Sequence, residues 1–377
     1  MNKYMSLGDI ISSAKVERCG NGIYPVLSMT MHNGIILQND RFKKSLASLD
    51  QSNYKVVKKG QLVIGFPIDE GVLYVQKVVS AGIMSPAYNI WNIKNDIVDA
   101  DYLELCLHSP QAMQFYKANL RGTTARRRSI PTGTLLTLKI PVPSLDNQRK
   151  IVALIAKMET LITKHNLQLA SLDELVKSRF IELFGDIIGN RTLPLIRLSE
   201  LADIGSSKRI YANEYVESGI PFYRSKEIRE LGTGLKPSVE LFIKRERYDE
   251  IREKYGVPKV GDILIAAIGA TIGYSWIVDT DSPFYYKDGN LIVLSIKDNV
   301  NPIFLNHAMG ILIEDFKKKG VAGSAQLALT IEKLEKMMVV NPELELQNQF
   351  AAFVAQVDKS KYCRCKSRRL LQRVASI

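Results

Sequence analysis

Little in this chain can do covalent chemistry. Its 377 residues include four cysteines and four histidines. Cys19, Cys106, Cys363 and Cys365 match no zinc-ligand spacing, so free thiols are expected and a metal site is not. His32, His108, His165 and His307 are scattered, and each reads as structural rather than catalytic. The run Gly269-Ala-Thr-Ile-Gly273 lacks the Gly-Lys-Ser/Thr of a phosphate loop, which argues against an ATP site. There is no Asn/Asp-Pro-Pro-Tyr/Phe string of an amino-methyltransferase and no Pro-Asp with a following Glu-x-Lys of a nuclease. The expectation is a non-catalytic protein with no cofactor of its own. Long apolar runs are also missing, so no membrane span of about 18 residues is expected. The first residues lack the apolar stretch of a secretory signal, which points to the cytoplasm.

Positive charge, by contrast, is plentiful. Hydrophobic residues make up 46% and charged residues 24%, the balance of an ordinary globular protein, yet the net charge is +12. The cations are clustered: Arg126-Arg127-Arg128, Lys208-Arg209, Lys244-Arg245 with Arg247, Lys317-Lys318-Lys319, and Lys359 through Arg373. Simple solubility would explain a diffuse excess. Clusters fit a polyanion better, because Lys and Arg that displace counterions from phosphates gain affinity by doing so.

The chain also repeats itself. Pro143-Ser-Leu145-Asp146-Asn-Gln148 returns as Pro342-Glu-Leu344-Glu345-Leu-Gln347, Leu7-Gly-Asp9-Ile10 as Leu201-Ala-Asp203-Ile204, and Lys59-Gly60-Gln-Leu62 as Val260-Gly261-Asp-Ile263. Phe115, Lys117 and Gly122 return as Phe316, Lys318 and Gly323. A period of about 200 residues is a duplicated domain rather than a solenoid unit. Two like units in one chain suit a partner that is itself repetitive, and DNA is the obvious one.

Each copy reads as a mixed α+β unit followed by a long helix. Strands are expected at Tyr54–Val57, Gln61–Phe66 and Leu73–Val79, and in the second copy at Val260–Ile268 and Asn290–Ile296. Helices are expected at Tyr102–Leu120 and Phe304–Lys319. Each leads into a Gly-polar loop and then a short apolar strand that ends at Pro143 or Pro342.

From Leu145 to Phe184, Ile151, Leu154, Ile155, Met158, Leu161, Ile162, Leu169, Leu172, Leu175, Val176, Phe180 and Leu183 recur at spacings of three and four. That is the stripe of an amphipathic helix, with Ser144 as its cap and Gly185 as its stop. Roughly 40 residues make a rod of about 60 Å, whose stripe needs a partner. Phe350, Phe353, Val354 and Val357 in the final segment supply one, with Asn341 a good cap and Pro342 in the first helical position. The expected arrangement is an antiparallel, coiled-coil-like pair. The domains are 1–142, 143–186 (central helix), 187–341 and 342–377 (distal helix).

The string Ile140-Pro-Val-Pro143-Ser-Leu-Asp-Asn-Gln148-Arg-Lys-Ile-Val152, with Leu172-Asp-Glu-Leu175-Val-Lys177-Ser178-Arg179-Phe180-Ile-Glu182-Leu-Phe184, resembles the central conserved region of specificity subunits of type I restriction-modification systems. Pro342–Asp358 resembles their distal conserved region. Two departures stand out: Asn341-Pro342 and Leu346, where the family more often has two prolines and an acidic residue before the glutamine, and the arginine triplet in the first loop. The resemblance implies two target recognition domains, each reading one half of a bipartite, asymmetric site on double-stranded DNA. The helix pair would set the spacer and dock methyltransferase subunits, and motor-nuclease subunits would complete the complex. Those partners, not this chain, would use S-adenosylmethionine, ATP and Mg2+. Two other readings stay open: a stand-alone DNA-binding or regulatory protein of the same fold, and an assembly scaffold that does not touch DNA.

Arg pairs with guanine and Asn or Gln with adenine, while Lys, Ser and Thr commonly hold phosphates. The candidate contacts in the first unit are Lys43, Lys44, Arg121, Thr123, Thr124, Arg126, Arg127 and Arg128. In the second they are Lys208, Arg209, Tyr223, Arg224, Ser225, Lys226, Arg229, Ser324 and Gln326, with Phe222 in the core. The two matched loops equally fit polar turns, and the arginine triplet a solvated face. For pairing and docking the candidates are Ile151, Leu154, Ile155, Met158, Leu161, Ile162, Leu172, Leu175, Phe350, Phe353, Val354 and Val357.

Overall fold

A computed structural model of the chain describes residues 3–31, 33–41, 51–120, 129–189, 193–320 and 327–375. They fall into two compact units: Met1–Asn166 with Cys365–Ile377, and Leu167–Arg364. In the first unit the elements are β1 (Lys3–Ser6), α1 (Leu7–Ile10), β2 (Ile11–Ser13), β3 (Leu27–Met29), β4 (Ile35–Leu37), α2 (Gln38–Arg41), β5 (Lys55–Lys58), β6 (Leu62–Ile64), β7 (Leu73–Val75), β8 (Ala81–Met84), β9 (Asn89–Ile93), α3 (Ala100–Leu107), α4 (Pro110–Ala118), α5 (Thr132–Leu135) and β10 (Lys139–Val142). The long helix α6 (Leu145–Phe184) leaves this unit and runs into the second. There follow β11 (Leu195–Arg197), α7 (Leu198–Leu201), β12 (Ala202–Gly205), β13 (Tyr215–Val216), β14 (Ile220–Tyr223), α8 (Ser225–Gly232), β15 (Phe242–Ile243), α9 (Arg245–Tyr255), β16 (Ile263–Ala266), β17 (Ser275–Ile277), β18 (Tyr285–Tyr286), β19 (Leu291–Ile296), α10 (Pro302–Gly320), α11 (Ile331–Glu335), β20 (Met338–Val340) and α12 (Leu344–Ala375).

The same sheet is built in both units. Its strand order is β2-β9-β6-β7 in one and β12-β19-β16-β17 in the other, antiparallel throughout. A two-stranded ribbon, β1 with β10 or β11 with β20, precedes each long helix. The expectation of two similar heads of mixed α+β fold on long antiparallel helices therefore holds.

The inner strands β6 and β16 are apolar runs rather than alternations because both of their faces are covered. In β16, Ile263 and Ile265 point into the core beneath the long helices, while Leu264 and Ala266 point into a second core with Phe222, Tyr223, Trp276 and Phe284. In β6, Leu62 and Ile64 pack with Tyr102, Leu107 and Tyr116, and Val63 packs on the other side with Leu27 and Met84. Gly60 and Gly261 open the strands with positive φ of 85° and 96°, a conformation that costs a side-chain-bearing residue but not glycine.

Two boundaries differ from the sequence reading. Tyr102–Leu120 is not one helix: α3 ends at Leu107, and α4 starts afresh with Ser109 as cap and Pro110 in its first turn. Proline cannot continue a helix that needs its N–H, but it fits a first turn. The second long helix starts at Leu344 rather than Pro342, with the Gln347 N–H donating to Glu343 O (3.2 Å).

Within the second unit the long helices pair antiparallel. Phe180 meets Phe350 at 5.3 Å between ring centroids, Asp173 meets Lys361 at 2.7 Å, and Arg364 donates to Gln168 at 2.7 Å. As the numbers fall along α6 they rise along α12. Phe180, Phe184, Phe304 and Phe350 form one aromatic cluster that joins both helices to α10.

Candidate nucleic-acid interface

Much of the expected contact set lies outside the described residues: Lys43, Lys44, Arg121, Thr123, Thr124, Arg126, Arg127, Arg128, Ser324 and Gln326. What carries the two matched loops is described, and it is the same in both heads. In the first, the chain leaves α4 at Ala118 and re-enters at Ser129, ahead of α5 with its buried Leu135. In the second it leaves α10 at Gly320 and re-enters at Leu327, ahead of α11 with its buried Leu334. There the returning chain is pinned beside β16, since the Leu329 N–H donates to Ala267 O at 2.9 Å.

The other expected contacts lie on or beside the segment between β12 and β16. Lys208 is exposed, has no ion-pair partner among the described residues, and rests its ammonium 4.9 Å from the centre of the Tyr255 ring. Arg209 is exposed and its Nε donates to Asp288 Oδ2 at 2.8 Å. Arg229 is exposed on α8 and has no ion-pair partner among the described residues. Ser225 opens α8 and is half-buried.

Tyr223 is placed in the core instead of on the surface: it is 8% exposed and stacks on Phe284 at 5.0 Å. Phe222 and Tyr223 are both buried at the end of β14, and Arg224 follows as the N-cap residue of α8. Arg224 and Lys226 are exposed only in part, and their donors are engaged. Arg224 Nη2 donates to Glu227 Oε1 and Glu240 Oε2, both at 2.9 Å, and Lys226 Nζ donates to Glu240 Oε1 at 2.6 Å. Hydrogen bonds from Lys226 and then Arg224 hold the Glu240 carboxyl at about 2. Glu227 is fully buried, so the guanidinium is what makes its burial tolerable.

Of the helix residues, Phe350, Val354 and Val357 are buried in the core shared with Val176, Phe180 and Phe184. Leu172 and Phe353 pack against that core. Ile155, Met158 and Ile162 are half-buried. Ile151, Leu154, Leu161 and Leu175 face water, at 39%, 53%, 37% and 47% exposure. The α6 stripe thus divides into a covered line and an open line.

Sequence reasoning passed over a pair of buried glutamines, Gln148 and Gln347. Their signal was present, because both sit in the repeated string, but a glutamine in a helix suggests solvent rather than core. Among the described residues no helix is long and apolar enough to cross a membrane, and no group of three or more His, Cys, Asp or Glu residues could hold a metal ion.

The same sheet order thus occurs in both units, and each unit leads into a long helix, the layout of a duplicated domain. The sequence model of the type I restriction modification DNA specificity domain matches residues 3–172 and again 192–363, and the chain belongs to that family. It is 29% identical to a putative type I restriction enzyme specificity subunit of Haemophilus influenzae over 236 residues, 60% of this chain and 58% of that one. It is 26% identical to the MjaVIII specificity subunit of Methanocaldococcus jannaschii over 305 residues, 74% of this chain and 68% of that one. The matched region thus spans somewhat over half of the first relative. The fold is also that of the S subunit of a type I restriction-modification system from M. genitalium (TM-score 0.57, 14% identity, 99% of this chain and 93% of that one). A structure concerned with complex assembly and conformational transition of the type I system matches with TM-score 0.57 and 17% identity, over 99% of this chain and 95% of that one.

Proposed function

We propose that this chain is the sequence-reading subunit of a type I restriction-modification complex. Each head reads one half of a bipartite, asymmetric site on double-stranded DNA, and the helix pair sets the number of unread base pairs between the halves. The chain itself is non-catalytic. Methyltransferase subunits dock on the helices, motor-nuclease subunits complete the assembly, and those partners use S-adenosylmethionine, ATP and Mg2+. The division into 1–142, 143–186, 187–341 and 342–377 and a cytoplasmic location belong to the same proposal.

One observation carries the reading. The same four-stranded sheet occurs twice in a chain of the specificity family, and each copy roots a polar loop at the same place. The segments inserted between the shared strands differ, which suits two unlike half-sites. The net charge of +12 adds the sequence-independent attraction to phosphates. For docking, Ile151, Leu154, Leu161 and Leu175 form an apolar line open to water, the kind of surface that a partner covers.

Mapping methylated adenines in the source genome with and without the gene tests the proposal. Loss of one bipartite motif is the expected result. An unchanged methylation pattern would sink it.

A further inference from the structure

Each long helix buries one polar side chain near its start, and the two are equivalent. Gln148 is 0% exposed and Gln347 is 1% exposed. Gln148 Oε1 accepts the backbone N–H of Asp99 at 2.8 Å, and its Nε2 donates to Pro143 O at 2.8 Å and Ile97 O at 3.1 Å. Gln347 Oε1 accepts the backbone N–H of Asn301 at 2.8 Å, and its Nε2 donates to Pro342 O at 2.8 Å. Asp99 and Asn301 are themselves equivalent, since each caps the head helix that follows it. Asp99 Oδ1 accepts from the Asp101 and Tyr102 N–H groups, and Asn301 Oδ1 accepts from the Ile303 and Phe304 N–H groups.

One amide therefore ties three things in each unit: the start of the long helix, the proline before it, and the cap of the head helix. A leucine would fill the same space but would not fix an angle. Hydrogen bonds are directional and weaken steeply when bent, so a buried amide bonded through both its oxygen and its nitrogen favours one geometry. The same node has been built twice, around heads whose inserted segments differ.

Resting on the reading of the chain as a DNA-specificity protein, we propose that Gln148 and Gln347 are positioning residues. Each locks its head to the root of its own long helix at one angle, and this makes the protein selective for spacer length. Neither glutamine touches DNA. Their loss loosens the joint and leaves base readout within each head intact.

The test selects duplexes from a random-sequence library with the full-length chain. Wild type is compared with Gln148→Ala, Gln347→Ala, Gln148→Glu and Gln347→Glu. Wild type yields one bipartite motif with a single spacer. The alanine variants keep both half-site sequences but spread over spacers one base pair longer and shorter. The glutamate variants spread less, because a carboxylate still accepts the cap N–H but cannot donate to the proline carbonyl. Variants that keep a single spacer, or lose the letters of one half-site, overturn the proposal. Amide hydrogen exchange separates the joint from the DNA reading. Exchange at Asp99 quickens at least about tenfold in Gln148→Ala and not in Gln347→Ala, and Asn301 behaves the other way round. Unchanged rates overturn the lock even where wild type selects a motif. If wild type selects no bipartite motif, the specificity reading fails and the exchange rates alone judge the joint. Should an alanine variant not fold, Gln148→Leu or Gln347→Leu at the same position, which fills the space and can neither accept nor donate, carries both measurements.

Discussion

The two heads share a framework and differ in what they hang on it. Between β2 and β6 the first head carries the small ribbon of β3 with β4, and β5, which pairs with β8. Between β12 and β16 the second carries α8, α9 and strands of a second four-stranded sheet, around an aromatic core of Phe222, Tyr223, Trp276 and Phe284. That segment is laced by ion pairs: Arg224 with Glu227 and Glu240, Arg245 with Asp249, and Arg247 with Glu214 and Glu250. The central sheets and the ribbons match in strand order, and each buried glutamine bonds the cap of the head helix and the proline before its own long helix. Duplication has thus preserved the parts that join a head to its helix and released the parts that vary. The proposed bipartite target with unlike halves asks for that division.

The comparison is broken most severely at the aromatic cluster. Phe350→Ala should destabilise the second unit by about 3–5 kcal/mol, the range for emptying a buried phenylalanine site. Trp91 lies in the first unit and Trp276 in the second, so single-tryptophan variants report each unit separately in urea. The Trp276 transition should fall well before the Trp91 transition. A common shift of both would mean that the units do not unfold separately.

Arg224 comes next. Glu227 is fully buried and the Arg224 side chain is 28% exposed, so Arg224→Met should cost about 2–3 kcal/mol, less than for a fully buried pair because one end meets water. Arg209→Met, which breaks an exposed pair, should leave the Trp276 transition where it is. Equal effects would show that the internal pairing of Arg224 does not distinguish it.

Gly60→Ala and Gly261→Ala sharpen the likeness instead. An added Cβ at Gly60 meets nothing within 4 Å, and at Gly261 it meets only Pro302 Cγ at 3.8 Å. The cost is backbone strain alone, about 1 kcal/mol in each unit. Unequal costs, read by the same two tryptophans, would deny the turns their equivalence.

The smallest effect is a pH dependence confined to the second unit. Burial lowers the pKa of His307 from its ordinary 6.5; the carbonyl of Ile303 and Asp358 pull it upward and Lys361 pushes it down. Its Nδ1 donates to Ile303 O at 2.9 Å and its ring packs edge-on to Phe350 at 5.2 Å. The neutral ring is the form that folds. Its contribution is therefore complete above pH 6.5 and is lost as pH falls through the lowered value. Urea midpoints from Trp276 at pH values of about 7.5 and about 5.5 should diverge in wild type and converge in His307→Leu. An unaltered divergence would place the cause elsewhere.

The long helices were legible because period is a local property: Ile155, Met158, Ile162, Leu172 and Phe180 declare a stripe whatever they pack against. The duplication was legible because matched strings keep their order. The break at Ser109-Pro110 was readable in principle, since Pro110 marks a first turn as clearly as any residue here, but the apolar spacing from Tyr102 to Leu120 overrode it. The contact surface was far less legible. Arg224, Lys226 and Arg229 look alike in a string, and Tyr223 looks like a contact beside them. Which cation meets a carboxylate depends on Glu240, some fifteen residues away, and on a Glu227 that packing has buried.

By itself, then, the order of residues determined two copies of one head, two long amphipathic helices, an excess of positive charge and the scarcity of catalytic groups, because periodicity, repetition and composition are all read along the chain. Only the tertiary structure decided that β6 and β16 are covered on both faces, that Tyr223 is core, that Arg224 spends its charge internally, and that Gln148 and Gln347 are buried and hydrogen-bonded rather than solvated helix residues. Burial and hydrogen-bond partnership are set by atoms far apart in sequence, and no local pattern encodes them.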